Sequence, residues 1–194
     1  MPWHDELGFE ENPLDIRPNT NLVGLEQQER QLKNHIRKGE LCFLNGMTGS
    51  GKTSLLKKVQ EEMTDHTFMY LDAQDLPDDF NIEDELTEQR SFLDRIALRE
   101  YPSDEPVLII DEFQDTNQDI ILEARAKWES KEKIQSIVIA QIDQQLDNVT
   151  DSLKERIGKR TITLPNLTDT EMEAILEQRL GEYYKKLHSE ALNL

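Results

Sequence analysis

Cysteine occurs once in the 194 residues, at position 42, so no internal disulfide can form. The four histidines, His4, His35, His66 and His188, are scattered without ligand spacing, which argues against a zinc site. No apolar run approaches membrane-spanning length, and the N-terminus MPWHDELGFEENP lacks the apolar core of a signal peptide. The simplest expectation is a cytoplasmic protein with no membrane partner. Positive charge is scarce: 22 Lys and Arg stand against 40 Asp and Glu, a net charge of −18. Such a surface repels nucleic-acid phosphates, so direct DNA or RNA contact would need a local basic patch or a partner. Lys57-Lys58 and Lys185-Lys186 are isolated pairs and supply none. The acidity fits a plain solvated surface or adaptation to a salty cytoplasm. Hydrophobic residues make up 36%, enough for one domain with a core, with or without an appendage.

Against this background Gly46-Met47-Thr48-Gly49-Ser50-Gly51-Lys52-Thr53 stands out as a complete G-x-x-x-x-G-K-[ST] phosphate loop, following the apolar run Leu41-Cys42-Phe43-Leu44. Gly46, Gly49 and Gly51 let the backbone lie close to phosphate oxygens, so that successive N–H groups point into one concavity at a helix N-terminus. Lys52 supplies a point charge to the β and γ phosphates, and Thr53 offers its hydroxyl to Mg²⁺. Residues 46–54, ending at Ser54, therefore form the expected nucleotide-binding stretch. A chance Gly-rich turn would not carry the strand before it and the helix-forming run Ser54-Leu55-Leu56-Lys57-Lys58-Val59 after it.

The second motif is Val107-Leu108-Ile109-Ile110-Asp111-Glu112, an apolar strand ending in two acids. Strand ends of an open α/β sheet border the nucleotide crevice. Asp111 is expected to hold the Mg²⁺ shell and Glu112 to orient and polarise the attacking water. An acidic turn after a strand is the plainer reading, and the upstream phosphate loop weighs against it. No Asn-Lys-x-Asp guanine-reading motif is present, which favours ATP over GTP. At the tip of Ser136-Ile137-Val138-Ile139-Ala140, Gln141 can sense the γ-phosphate or hold the lytic water, with Asp143 or Gln144 as alternatives and an ordinary loop residue as another.

Strand and helix signals alternate along the chain. Residues 1–23 read as irregular, broken by Pro2, Pro13 and Pro18. Helix is expected over 24–38, 52–63, 82–99, 117–129 and 149–157, and after Pro165 from a Thr168-x-x-Glu171 capping box. Strands are expected at 41–45, 67–71, 107–110, 134–142 and 161–164. That alternation predicts an α/β fold: a three-layer α/β/α P-loop domain with a five-stranded, mostly parallel sheet. The expected division is 1–23 as a segment packing near the nucleotide, 24–165 as the ATPase domain and 166–194 as a rudimentary helical lid.

The order LVGL (22–25), GMTGSGKT, VLIIDEFQD (107–115), the Gln141 strand and SLKERIGKRTITLP (152–165) resembles AAA+ ATPases of the origin-recognition and initiator group and related archaeal ATPases. The resemblance covers about residues 9–180. It implies that the segment from Asn12-Pro13-Leu14-Asp15 to Gly24 packs against adenine, with Val23 and Gly24 touching the base. It places Arg156 where that group carries an arginine finger, which reaches the γ-phosphate of a neighbouring subunit; Arg160 is the reserve, and a solvated charge at a helix C-terminus is the plainer reading. Leu25 stands where the group usually has Arg. Only the first lid helix is expected before Leu194, with no winged helix, as in a fragment or a minimal ATPase. The implied activity is ATP hydrolysis to ADP and phosphate with Mg²⁺, switching self-association or a protein partner, in DNA replication or remodelling. A catalytically weak nucleotide-binding scaffold is the alternative; a small-molecule kinase fits less well, because 75–90 is acidic rather than Arg-rich.

Overall fold

In the computed structural model the described residues are 3–6, 8–9, 12–13, 15, 17–77, 79–116, 118–130, 133–142 and 149–185. After a one-turn helix α1 (Trp3–Glu6), inside the stretch expected to be irregular, the order is α2 (Glu26–Arg37), β1 (Leu41–Asn45), α3 (Lys52–Glu62), β2 (Phe68–Asp72), α4 (Ile82–Glu88), α5 (Phe92–Ile96) and β3 (Val107–Asp111). There follow a 3-10 turn (Phe113–Asp115), α6 (Gln118–Glu129), β4 (Ser136–Gln141), α7 (Asp151–Ile157), β5 (Thr161–Thr163) and α8 (Asp169–Leu180). The strands form one sheet in the order β2-β3-β4-β1-β5, and every pairing is parallel. The expected α/β sandwich is present, with a sheet wholly rather than mostly parallel.

Period-two alternation divides the core between the two faces of the sheet. Leu41 and Phe43 of β1, with Leu108 and Ile110 of β3, pack under α4, α6 and α7 through Ile82, Leu86, Ile121, Ala124, Leu153 and Ile157. Cys42 and Leu44, with Val107 and Ile109, pack under α2 and α3 through Leu32, Ile36, Leu55, Leu56 and Val59. Cover on both faces explains why β1, β3 and β4 read as unbroken apolar runs rather than alternating ones. Burial also raises the Cys42 thiol to about 12, so it acts as a small hydrophobe and not as a nucleophile.

One expected element is wrong. Residues 82–99 do not form a single amphipathic helix but two short ones, α4 and α5. Asn81 caps α4 by accepting from the N–H groups of Glu83 and Asp84, and Gln89 closes it. Ser91 and Asp94 then open α5 with a reciprocal capping box. The apolar stripe divides accordingly: Ile82 and Leu86 are buried, whereas Phe92, Leu93, Ile96 and Leu98 face solvent. Asp94 is the buried anchor of this segment. Its carboxylate accepts from the Ser91 hydroxyl at 2.7 Å and the Ser103 N–H at 3.2 Å, and these bonds hold its pKa down to about 2. The strand expected over 134–142 is trimmed to Ser136–Gln141, and the other elements fall within about two residues of their expected ends.

Leu98, at φ 53°, holds a left-handed conformation that costs a branched side chain roughly 1 kcal/mol. Leu98→Gly is therefore expected to raise stability by about 0.5–1 kcal/mol in chemical denaturation, since almost no packing is lost at so exposed a side chain. Asp94 gives a second expectation. Its folded pKa lies below the ordinary 3.8, so its stabilisation is present above that value and is lost as pH falls toward about 2. Asp94→Asn should flatten the acid limb of a stability profile between those two values; an unchanged limb would discount the anchor.

Candidate nucleotide site

Parallel register brings the chemically loaded strand ends to one edge of the sheet. Asn45 at the end of β1 pairs with Gln141 at the end of β4, and Asp72 at the end of β2 pairs with Asp111 at the end of β3. The glycine loop springs from that edge into α3. Gly49 and Gly51 hold φ values of 81° and 93°, in the left-handed region. A Cβ on Gly46 would lie 2.5 Å from Ser50 Oγ and 2.9 Å from Leu164 Cβ, so only glycine fits there. A Cβ on Gly49 would meet nothing within 4 Å, so this side of the loop faces open space.

Inside this turn Lys52 is buried, and its ammonium donates to the carbonyls of Gly46 at 2.9 Å and Met47 at 3.5 Å. Both acceptors are neutral, so the charge remains available to an anion in the hollow. Ser50 Oγ and Asn45 Oδ1 are buried without a hydrogen-bond partner, which an incoming polar ligand would relieve. These features fit the triphosphate that the loop sequence implies. Met47 is exposed and Thr48 sits with it on the outer lip.

Three elements converge on one carboxylate oxygen. Asp111 Oδ2 accepts from the Thr53 hydroxyl at 2.7 Å and from the Tyr70 phenol at 2.6 Å, while Asp111 Oδ1 accepts from the Glu112 N–H at 3.0 Å. Burial, and then the bond to Asp111, raises the Tyr70 hydroxyl above its ordinary value and keeps it a donor. A hydroxyl beside a carboxylate is a hard-oxygen set that suits Mg²⁺. Among the described residues no group of three His, Cys, Asp or Glu could hold a metal ion.

Glu112 turns out of the strand in a left-handed conformation, φ 50° and ψ 40°. Gln114 then donates its amide to Glu112 Oε2 at 2.6 Å and to Asp115 Oδ2 at 3.0 Å, and its carbonyl accepts from the Ile142 N–H at 3.4 Å. Gln114 thus links the acidic tip of β3 to the end of the Gln141 strand. Gln141 itself is buried beside Asn45. Asp143 and Gln144 lie outside the described residues. Sequence reasoning assigned no role to Tyr70 or Gln114. Tyr70 sits on a different strand, and only its register opposite β3 brings it to Asp111; Gln114 had a signal in the IIDEFQD run, at two residues past Glu112.

The residues before α2 close one side of the loop. A Cβ on Gly51 would stand 3.3 Å from Leu25 Cδ1 and 3.9 Å from Leu22 Cδ2, and the Asn19 N–H donates to Ser54 Oγ at 3.2 Å. Leu25, in the place of the usual arginine, is a buried packing residue. A cleft of about 640 Å³ opens alongside, lined by Phe9, Asn12, Asn19, Lys57 and Arg179 among others. Val23 and Gly24 do not line it; a Cβ on Gly24 would lie 2.3 Å from Glu171 Oε1 of α8. Arg179, on α8, donates to the Asp15 carbonyl at 3.2 Å at this cleft.

Arg156 is elsewhere. It lies in the last turn of α7 beside residues that precede their strands, sharing a cavity of about 530 Å³ with Gly39, Trp128 and Gln135. That is the edge of the sheet opposite the phosphate loop. Its half-exposed guanidinium pairs with Glu129 at 3.2 Å, so it cannot serve the nucleotide site of its own chain. Arg160 pairs with Glu40 at 3.4 Å and donates to the Arg156 carbonyl.

A parallel sheet whose first strand feeds a glycine loop, and whose third ends in paired acids against that loop, defines a P-loop nucleotide-binding domain. The AAA domain family model matches residues 38–173, and the chain belongs to that family. Its fold is similar to Cdc6p from Pyrobaculum aerophilum, at TM-score 0.62 and 20% identity, over 90% of this chain and 52% of that one. The Orc1 protein of Aeropyrum pernix, solved in complex with DNA, gives TM-score 0.65 and 17% identity over 88% and 52% of the two chains. AMPPCP-bound DnaA from Aquifex aeolicus gives 0.57 and 20% over 88% and 56%. The chain spans about half the length of these solved structures, and at such identities the likeness is one of fold. No curated protein matches it. Among the described residues no helix is long and apolar enough to cross a membrane.

Tyr70 supplies the test of this geometry. Tyr70→Phe removes one of two hydroxyl donors to a buried carboxylate oxygen and is expected to cost about 1–2 kcal/mol of stability by chemical denaturation. A loss under a few tenths would mean that the phenol does not orient Asp111.

Proposed function

We propose that this chain binds ATP with Mg²⁺, hydrolyses it to ADP and phosphate, and uses the nucleotide state to control assembly with copies of itself or with a protein partner. The observation that carries this reading is the 2.7 Å contact between Thr53 Oγ1 and Asp111 Oδ2 beside the glycine loop. The loop N–H groups from Gly46 to Ser54 and the Lys52 ammonium hold the phosphates, and Thr53 with Asp111 holds the cation. Mg²⁺, when bound, offsets charge between the β and γ phosphates. Glu112 takes the proton of the attacking water, with Gln114 fixing its carboxylate and Gln141 orienting the water from the adjacent strand end.

The base and ribose belong in the cleft beside Asn12, Asn19 and Arg179, with Gly24 held against Glu171 of α8 and Val23 next to it in the chain reaching the base. Residues 1–23, 24–165 and 166–194 then act as base cover, ATPase body and partial lid. Arg156, turned away from its own site, is read as a finger for a neighbour's γ-phosphate. A finger in trans contributes roughly 10³–10⁵ in rate, so an isolated subunit turns over slowly and assembly is the switch. The related folds include a DNA replication initiation factor and a DnaA bound to single-stranded DNA, which supports a role in DNA replication or remodelling through a partner rather than through this acidic surface.

Three variants test the assignment in ATP-binding and phosphate-release assays. Lys52→Ala is expected to weaken ATP binding at least about tenfold. Glu112→Gln should keep binding and slow turnover by about 10²–10⁴. Arg156→Ala should bind ATP normally but lose the rise in turnover per subunit with protein concentration. Equal turnover in Lys52→Ala and unmodified protein would overturn the site.

A further inference from the structure

β1 ends on a residue that packing does not explain. Leu41 to Leu44 are apolar and buried, and Asn45 after them is buried as deeply, at 2% exposure. Its backbone carbonyl accepts from the Leu164 N–H at 2.7 Å, whereas its side-chain Oδ1 has no hydrogen-bond partner. A buried polar atom in that state costs free energy, so a strand that ends on one points to a use beyond the fold.

The surroundings of Asn45 show what that use is. Alternation puts its side chain on the sheet face of Leu41 and Phe43, and Gln141 on the same face with Ile137 and Ile139. The two residues are paired in parallel register, so their side chains stand next to each other. Glu112 approaches from the far side of Gln141, since the sheet runs β3-β4-β1. The Gln114 amide spans that side, from Glu112 Oε2 at 2.6 Å to the N–H of Ile142, the residue after Gln141, at 3.4 Å. On its own far side Asn45 precedes Gly46, whose carbonyl lies 2.9 Å from Lys52 Nζ. Asn45 therefore stands between the carboxylate read as the base and the ammonium read as the phosphate anchor. Strand spacing of about 4.8 Å puts the tips of β3 and β1 about 10 Å apart, a gap that a glutamate, one water and an asparagine can bridge.

We infer that Asn45 is a further residue of the hydrolytic site, its Oδ1 accepting a hydrogen bond from the water that attacks the γ-phosphate. The inference rests on the nucleotide reading and deepens it. The water carries two hydrogens, and attack requires a lone pair aimed at phosphorus. Glu112 takes one hydrogen as a proton while the new O–P bond forms and the bond from the γ phosphorus to the β–γ bridging oxygen breaks, which leaves ADP and phosphate. The second hydrogen stays on the attacking oxygen, and an acceptor for it fixes the direction of the lone pair. Asn45 Oδ1 is a buried acceptor beside the loop with no donor of its own. Ser50 Oγ, also unpartnered, carries a hydrogen and can donate to phosphate instead. The amide is neutral, so it does not repel the phosphate as a carboxylate would. The broad χ2 torsion of asparagine lets the carboxamide turn toward the loop at little cost once the water is there.

The test is Asn45→Leu, close in volume and without an acceptor, measured beside the unmodified chain and Lys52→Ala. ATP binding by titration calorimetry should stay within about twofold of the unmodified chain. Turnover in phosphate release should fall by about 10–100-fold with KM changed by no more than about twofold. The denaturant midpoint should be equal or higher, because a costly unpartnered group has been removed. An asparagine kept for structure gives the opposite stability result. Unchanged turnover, a lower midpoint or a large loss of ATP binding in Asn45→Leu each overturns the inference, the last because Asn45 would then hold the nucleotide rather than the water. Failure of the nucleotide reading is separate: it shows as Lys52→Ala hydrolysing ATP like the unmodified chain, and it removes this inference too. Loss of turnover in Lys52→Ala with none in Asn45→Leu overturns the role of Asn45 alone.

Discussion

The oxygen Asp111 Oδ2 is where three separate elements meet. β1 and β3 are not neighbours in the sheet, because β4 lies between them. The first turn of α3 nevertheless reaches across to the tip of β3 through the Thr53 hydroxyl, and edge strand β2 reaches in from the other side through the Tyr70 phenol. A buried carboxylate is costly unless its lone pairs are filled, so these donors are a condition of the fold as well as a feature of the site. Shifting β1 by one residue would move Thr53 off the carboxylate and turn Cys42 and Leu44 toward the wrong helices.

The two-sided sheet enforces that register. Each face is closed by helices contacting alternate residues of the same strands, so a slip costs the packing of both faces together. Gly46 and Gly51 complete the constraint at the loop. At one a side chain would strike Ser50 and Leu164, and at the other the backbone is left-handed with Leu25 at its back. The phosphate hollow therefore belongs to the packed core and is held by it, in contrast with the exposed 90–99 segment, which contributes nothing to either core cluster.

Much of this was legible in the chain itself. The turn of the glycine loop into α3, the apolar runs of β1, β3 and β4 and the Thr168 capping box were each read correctly, because each is a local pattern with one physical solution. The 82–99 stretch was misread because its apolar residues fit a helical period. The Ser91-x-x-Asp94 cap, which restarts the helix, was the local signal that outweighs it. Tyr70 and the link made by Gln114 were missed for a different reason: the partner of Tyr70 is 41 residues away, and the Ile142 N–H that donates to Gln114 is 28 residues away. Periodicity cannot report a contact made by strand register. Likewise, the sequence offered Arg156 as a finger, but only the sheet places it at the edge opposite the phosphate loop, paired with Glu129.

The account turns on Thr53 and Asp111 forming a hydroxyl–carboxylate seat for a cation beneath a triphosphate. Titration calorimetry of ATP with and without Mg²⁺, on unmodified protein and on Thr53→Ala, measures this directly. The account predicts that Mg²⁺ tightens ATP binding to the unmodified protein at least about tenfold and has little effect on Thr53→Ala, whose loop and Lys52 remain. ATP affinity indifferent to Mg²⁺ in the unmodified protein, or an undiminished Mg²⁺ effect in Thr53→Ala, would contradict it.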